Sequence, residues 1–181
     1  IDYIALHKYW TNYDKKTTSY LSSSIPLQEY ISTVEGTIDY VKAKKRTKKQ
    51  IKISFDEWNP WYHSRDMQTQ NFLDKNLSEW PKAPPLYEDM YNILDTLLVG
   101  TVLNTFINNS HIVKIGCMAQ LVNVIPAIST VKGGISWVQG IYYPLYFASL
   151  YGRGESLHLK IDCPKFSTDI ADDVKYIDAS G

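Results

Sequence analysis

The sequence predicts an α/β fold built on a parallel sheet. Three times along the chain a strand pattern is followed by a helix pattern, the order that crossover connections produce. The strands are short apolar runs whose C-terminal tips turn polar and ring-bearing, as in parallel sheets that carry side chains into a site. On order alone, part of an eight-fold barrel and an open doubly wound sheet both fit. No Gly-rich turn follows the early strands, so a dinucleotide fingerprint is missing.

The first strand is the run from Asp2 to Tyr9. Trp10 to Ser24 is polar and Ser/Thr-rich, hence a loop. Ser24, with Pro26 in the first turn, opens a helix. Its apolar face is Leu27, Tyr30, Ile31, Val34, Ile38 and Val41, and it ends in the cationic run Lys42 to Lys49. Ile51 to Phe55 is the second strand, with Pro60 ending regular structure. Residues 64–86 read as a long loop. Tyr87 to Asn108 reads as the second helix and Ile112 to Cys117 as the third strand. After a loop containing Gly133 and Gly134 comes a helix over Tyr142 to Tyr151. Beyond the Gly152-Arg-Gly154 break, Leu157 to Cys163 reads as one more strand of different character.

Composition narrows the function classes. The 181 residues carry 19 Lys+Arg and 19 Asp+Glu, so the net charge is zero and a cationic nucleic-acid binder is disfavoured. The run Lys42 to Lys49 is read as a helix C-terminus, where cations suit the dipole. The longest strongly apolar stretch, Gly140 to Leu150, is about half of a membrane span. Cys117 and Cys163 read as free thiols of a reducing, cytoplasmic compartment. His7, His63, His111 and His158 show no metal-ligand spacing, so no metal is expected. Asn76-Leu-Ser78 and Asn108-Asn-Ser110 match the glycosylation acceptor pattern and are read as chance. A chain opening on Ile1 in mid-strand and stopping after Asp178-Ala-Ser-Gly181 reads as a piece of a longer protein. At 13% aromatic, with 14 Tyr and 5 Trp, the chain tilts toward a carbohydrate site, although ordinary cores also use rings.

The segment Ser54-Phe-Asp-Glu-Trp-Asn59 holds the strongest candidate for chemistry. Glu57 follows a strand among rings and an amide, the setting of a carboxylate that attacks an anomeric carbon. The blander reading is an ion-paired Glu at a strand end. His7 and Tyr9, two apart on the preceding strand, point to one side, and a Tyr hydroxyl there can hold and aim a carboxylate. Gln120 and Asn123, past the third strand, either bind sugar hydroxyls or bond to loop backbone.

In these residues the sequence resembles glycoside hydrolase family 51, the α-L-arabinofuranosidases. The resemblance runs in order through Ile4-Ala-Leu-His-Lys-Tyr9, Ile53 to His63, Ala83-Pro-Pro-Leu86, Leu97-Leu-Val-Gly100, Val113 to Ile125, Gly140-Ile-Tyr-Tyr-Pro144 and Ala148 to Gly154. It implies a partial (β/α)8 barrel, about strands six to eight, over residues 1–154. Residues 155–181 would begin a C-terminal β-sandwich. By the same resemblance Glu57 is the nucleophile of a retaining enzyme and Tyr9 orients it. His7 belongs to the same strand-tip motif, Trp61 is a ring at the substrate site, and Gln120 recognises substrate. The loop after His63 looks several residues longer than in family members, which bears on aglycone preference. The substrate class would be arabinose-containing oligosaccharides or polysaccharides, with no cofactor, membrane or nucleic-acid partner, and a homo-oligomeric full-length protein. The family's acid/base is a Glu preceded by Asn, and no Asn-Glu pair occurs here. The chain alone is therefore expected to be inactive. Rival readings are a β-glucan-acting relative on the same barrel and a sugar-binding barrel without catalysis.

Overall fold

The computed structural model describes residues 1–62 and 88–181. The predicted loop over 64–86, His63 and the start of the predicted helix at Tyr87 lie outside the described residues. Three strands, β1 (Tyr3–Trp10), β2 (Lys52–Pro60) and β3 (Val113–Met118), form a parallel sheet in the order β1-β2-β3. The connection from β1 to β2 carries a short helix α1 (Thr17–Leu21) and the long helix α2 (Ser24–Lys45). Helix α3 (Ile93–Asn108) precedes β3. A small antiparallel ribbon, β4 (Ile128–Thr130) and β5 (Ser136–Val138), then leads into helix α4 (Tyr142–Tyr151).

Amphipathic spacing explains the packing. Leu27, Ile31 and Ile38 of α2 and Leu98, Val99, Val102 and Phe106 of α3 are buried in one cluster with Leu6, Ile53, Phe55 and Trp58 of the sheet. Phe106 is central: it stacks on Phe55 at 4.8 Å and meets Trp58 edge-on at 5.5 Å. Along β1, Leu6 and Trp10 are buried while Tyr3, Ala5 and His7 are exposed, so helices cover one face of this edge strand. On β3, Ile115 and Cys117 are exposed as well.

Several element ends differ from expectation for identifiable reasons. Helix α3 begins at Ile93 because Asn92 and Asp95 form a capping box, with Leu94 N–H donating to Asn92 Oδ1 (2.7 Å) and Asn92 N–H to Asp95 Oδ2 (2.8 Å). That box outweighs the apolar spacing of Met90, which is exposed. The loop expected from Trp10 contains α1, and the cap of α2 is Ser23 rather than Ser24. Helix α2 ends with Arg46 in the left-handed region at φ 50°, and Thr47 N–H closes a six-residue turn on the Lys42 carbonyl. Lys42, Lys44 and Lys45 fill its last turn, as the helix dipole favours.

The expected strand from Leu157 to Cys163 does not form. Its alternation of Leu157, Leu159 and Ile161 with polar residues has no ladder partner among the described residues, and a strand exists only through such a ladder. The ribbon of β6 (Lys165–Phe166) and β7 (Val174–Lys175) forms a few residues later instead. This terminal segment is tied to α3: Asn104 Nδ2 donates to Asp178 Oδ1 (2.8 Å) and Asn108 Nδ2 to the Ala179 carbonyl (3.1 Å). Among the described residues no helix is long and apolar enough to cross a membrane.

Phe106→Ala removes the ring wedged between Phe55 and Trp58. It is expected to cost about 3–5 kcal/mol, read as a lower denaturation midpoint at unchanged slope.

Candidate active site

The C-terminal tips of β1 and β2 gather the residues singled out from the sequence. Strand register sets how. Leu6 pairs with Phe55, but His7 pairs with Glu57, so Asp56 is skipped. Such an irregularity re-aims side chains locally. It brings His7 between two carboxylates: its Nδ1 lies 3.1 Å from Glu57 Oε2 and its Nε2 lies 3.2 Å from Asp56 Oδ1. The three side chains are each about half exposed, at 54% for His7, 45% for Asp56 and 46% for Glu57.

Tyr9, two residues beyond His7 on β1, donates its hydroxyl to Glu57. Burial, then the Glu57 charge and this hydrogen bond, push the phenol up to about 12. Its ring meets Trp61 edge-on at 5.0 Å. Trp61 is fixed through its backbone, with its N–H donating to the Trp10 carbonyl (2.9 Å) and so prolonging the ladder past both strand ends.

Beneath this tip lies a buried network that the sequence reading missed. Asp95, fully buried at the start of α3, accepts from Tyr62 (2.6 Å) and from Tyr20 of α1 (2.8 Å) through the same oxygen. Tyr62 N–H donates to Asp89 Oδ2 (2.8 Å), and the Tyr91 hydroxyl donates to the Pro60 carbonyl (2.8 Å). The chain just after Glu57 is thus clamped from both sides. The one sequence signal was the Asn92-x-x-Asp95 spacing; nothing local marks Tyr20 or Tyr62 as partners.

The third tip is built differently. Asn59, fully buried, donates its amide to the carbonyls of Ala119 (3.1 Å) and Ile125 (2.8 Å). Those bonds hold a loop in which Gln120, Asn123 and Ile125 all have positive φ, at 58°, 63° and 41°. Gln120 is exposed two residues past the end of β3, whose Met118 pairs with Trp58, the neighbour of Glu57. Asn123 is spent on the loop: it donates to Thr130 Oγ1 and accepts from Thr130 N–H, both at 2.7 Å. Of the two amides singled out there, Asn123 follows the blander reading, while the Gln120 side chain makes no hydrogen bond among the described residues. Gln139 locks the neighbouring segment, accepting from Tyr91 N–H and donating to the Asp89 and Pro126 carbonyls. The structure therefore brings His7, Tyr9, Glu57 and Trp61 into one group, with Gln120 on the adjoining loop.

Comparison with known proteins agrees with the ordered motifs. Residues 56–176 match the family model described as the α-L-arabinofuranosidase C-terminal domain. The chain belongs to the α-L-arabinofuranosidase family. It is 49% identical over 180 residues to an intracellular exo-α-(1→5)-L-arabinofuranosidase of Bacillus subtilis, covering 99% of this chain and 35% of that protein. A protein of the same description from Halalkalibacterium halodurans is 48% identical over 180 residues, again 99% of this chain and 35% of that protein. The solved family 51 α-L-arabinofuranosidase of Bifidobacterium longum superposes with a TM-score of 0.88 at 30% identity, covering 99% of this chain and 37% of its own. The chain thus spans about a third of the length of the curated relatives it matches.

The buried phenols give this chain a pH signature. Burial first raises Tyr20, Tyr62 and Tyr91 well above the ordinary 10.0, with Tyr62 and then Asp95 adding to it at Tyr20, Asp95 and then Asp89 at Tyr62, and Asp89 and then Asp95 at Tyr91. A phenol whose folded value exceeds its unfolded one stabilises the fold below the unfolded value and loses that contribution as pH rises. Urea midpoints are therefore expected to fall from about pH 10 upward, and less steeply in Tyr62→Phe.

Proposed function

We propose that this chain forms the C-terminal portion of the (β/α)8 catalytic barrel (1–154) and the beginning of the β-sandwich (155–181) of a retaining, exo-acting α-L-arabinofuranosidase. Three parallel strands with crossover helices support the barrel reading. So does the exposure of Ala5, His7 and Cys117 among the described residues, because parallel sheets are normally covered on both faces. The family and the names of the relatives support the activity.

The observation that carries the mechanism is Glu57, held by Tyr9 and His7 at the C-terminal tip of β2. In this reading a Glu57 oxygen bonds to the anomeric carbon of a terminal arabinofuranosyl residue as the glycosidic C–O bond breaks. The leaving oxygen takes a proton from a second carboxylic acid. That group, now a carboxylate, then deprotonates water, whose oxygen attacks the same carbon and releases Glu57, so configuration is retained. The second carboxyl must stand about 5 Å from the nucleophile. Asp56 lies on the far nitrogen of His7, so the acid/base is assigned to the part of the relatives' length that this chain does not span. Tyr9 aims Glu57, His7 and Trp61 shape the sugar pocket, and Gln120 recognises its hydroxyls. The substrate class is arabinose-containing oligosaccharide or polysaccharide, the location cytoplasmic as the relatives' names suggest, and the full-length protein a homo-oligomer.

In the full-length protein, a 2-deoxy-2-fluoro arabinofuranosyl inactivator is expected to label the peptide carrying Glu57, located by mass spectrometry. Glu57→Gln is expected to lose several orders of magnitude in kcat while substrate binding persists; label on another carboxylate, or unchanged turnover, overturns the assignment. Gln120→Ala is expected to lower kcat/KM about tenfold, the worth of one or two lost hydrogen bonds.

A further inference from the structure

Asn59 is fully buried, yet its side-chain amide serves a different part of the chain from the strand that carries it. The amide has two hydrogens and donates to two carbonyls, Ala119 (3.1 Å) and Ile125 (2.8 Å). Those carbonyls bracket the loop in which Gln120, Asn123 and Ile125 take left-handed φ values of 58°, 63° and 41°. Side chains other than glycine rarely adopt that region, and it persists only where the surroundings impose it. The Ala119 carbonyl lies in the peptide plane that also holds the Gln120 N–H. The Ala119 N–H donates in turn to the Trp58 carbonyl (3.0 Å). Trp58 and Asn59 therefore hold the peptide planes on both sides of Ala119, and the chain enters Gln120 from a fixed plane. Asn123, bonded to Thr130, and Gln139, bonded to the Pro126 carbonyl, tie the same loop toward α4, whereas Asn59 ties it to β2.

We propose that Asn59 is a positioning residue for substrate recognition, acting through the Ala119 and Ile125 carbonyls on Gln120. The proposal rests on the reading of Glu57 as the nucleophile and of Gln120 as the group that meets the sugar hydroxyls. Its logic is distance. Glu57 and Asn59 stand two apart on β2, and Asn59 is the register partner of Tyr9, which donates its hydroxyl to Glu57. Gln120 comes from a loop after another strand, and its own side chain makes no hydrogen bond among the described residues, so it does not hold that loop in place. Recognition and attack address one furanose ring, and a displacement of about an ångström is enough to part a recognising amide from its hydroxyl. A residue that only fills the core needs volume, not two donors aimed at the backbone of a neighbouring tip. Without those donors two carbonyls lose their partners and Gln120 relaxes toward the ordinary backbone region, carrying its side chain off the sugar. A contact made equally in the bound substrate and the transition state is read in KM and leaves kcat unchanged.

The test is steady-state hydrolysis of 4-nitrophenyl α-L-arabinofuranoside by the full-length protein, with active sites counted by the 2-deoxy-2-fluoro arabinofuranosyl label. Asn59→Ser keeps a small polar group that is too short to reach both carbonyls. It is expected to raise KM about tenfold, as Gln120→Ala does, with kcat per labelled site nearly unchanged. Asn59→Ala is expected to behave alike, so the result does not hang on one variant's folding. In a Gln120→Ala background, Asn59→Ser is expected to raise KM no further. A residue that only fills the core lowers the number of labelled sites and leaves KM where it was. Wild-type KM at the labelled sites of both variants, no labelled site in either, or a rise that adds in full to that of Gln120→Ala overturns the proposal. Wild-type KM in Gln120→Ala sinks the recognition reading of Gln120 itself, and label away from Glu57 sinks the nucleophile reading. A raised KM in Gln120→Ala beside wild-type KM in Asn59→Ser sinks only the role of Asn59.

Discussion

One skipped residue in a strand pairing governs the site. Between Leu6–Phe55 and His7–Glu57 the parallel register of β1 and β2 advances by one residue on β1 and two on β2. In a regular ladder adjacent side chains point to opposite faces, and Asp56 and Glu57 could not both meet one ring. The irregularity costs local ladder hydrogen bonds and sets the carboxylates on either side of His7. The last three residues of β2 limit how far the distortion spreads. Trp58 is buried against Phe106, Asn59 is buried with its amide on two carbonyls, and Pro60 accepts the Tyr91 hydroxyl. The tip that carries Glu57 is therefore an irregular step between a regular strand stem and a clamped strand end.

The sheet was legible from the sequence because its information is periodic. Leu27, Ile31 and Ile38 repeat along a helix, and short apolar runs mark three strands, so element type and order follow from burial alone. That the candidate residues His7, Tyr9, Glu57, Trp61 and Gln120 fall near one end of the sheet was legible because they sit in or just beyond the C-terminal halves of the strands, where parallel folds expose chemistry. What escaped was non-periodic. The start of α3 depends on a side-chain bond between Asn92 and Asp95, which apolar spacing does not register. The strand expected at Leu157 has the right alternation, but a ladder needs a partner and alternation does not supply one. The Asp95 network joins Tyr20, Tyr62 and Asp95, far apart in sequence, and such a contact leaves no local trace.

The two sides of the site are stiffened by different means. On the β2 side the clamp is buried and charged, and its strength comes from the low dielectric around Asp95, which makes each hydroxyl bond costly to lose. On the β3 side the backbone itself is strained. Ile125, β-branched and buried, sits at φ 41°, a conformation such a residue adopts only when its surroundings impose it. The imposing groups are Asn59 from within β2 and Gln139 from the start of the segment entering α4, which hold the carbonyls of Ile125 and Pro126. Asn59 stands two residues beyond Glu57 on the same strand and also holds the Ala119 carbonyl, next to Gln120. A displacement of β2 therefore moves the carboxylate and the Gln120 loop together. Two tips that are distant in sequence are coupled through one buried amide, the coupling that the proposed pocket would need to hold a ligand in a single pose.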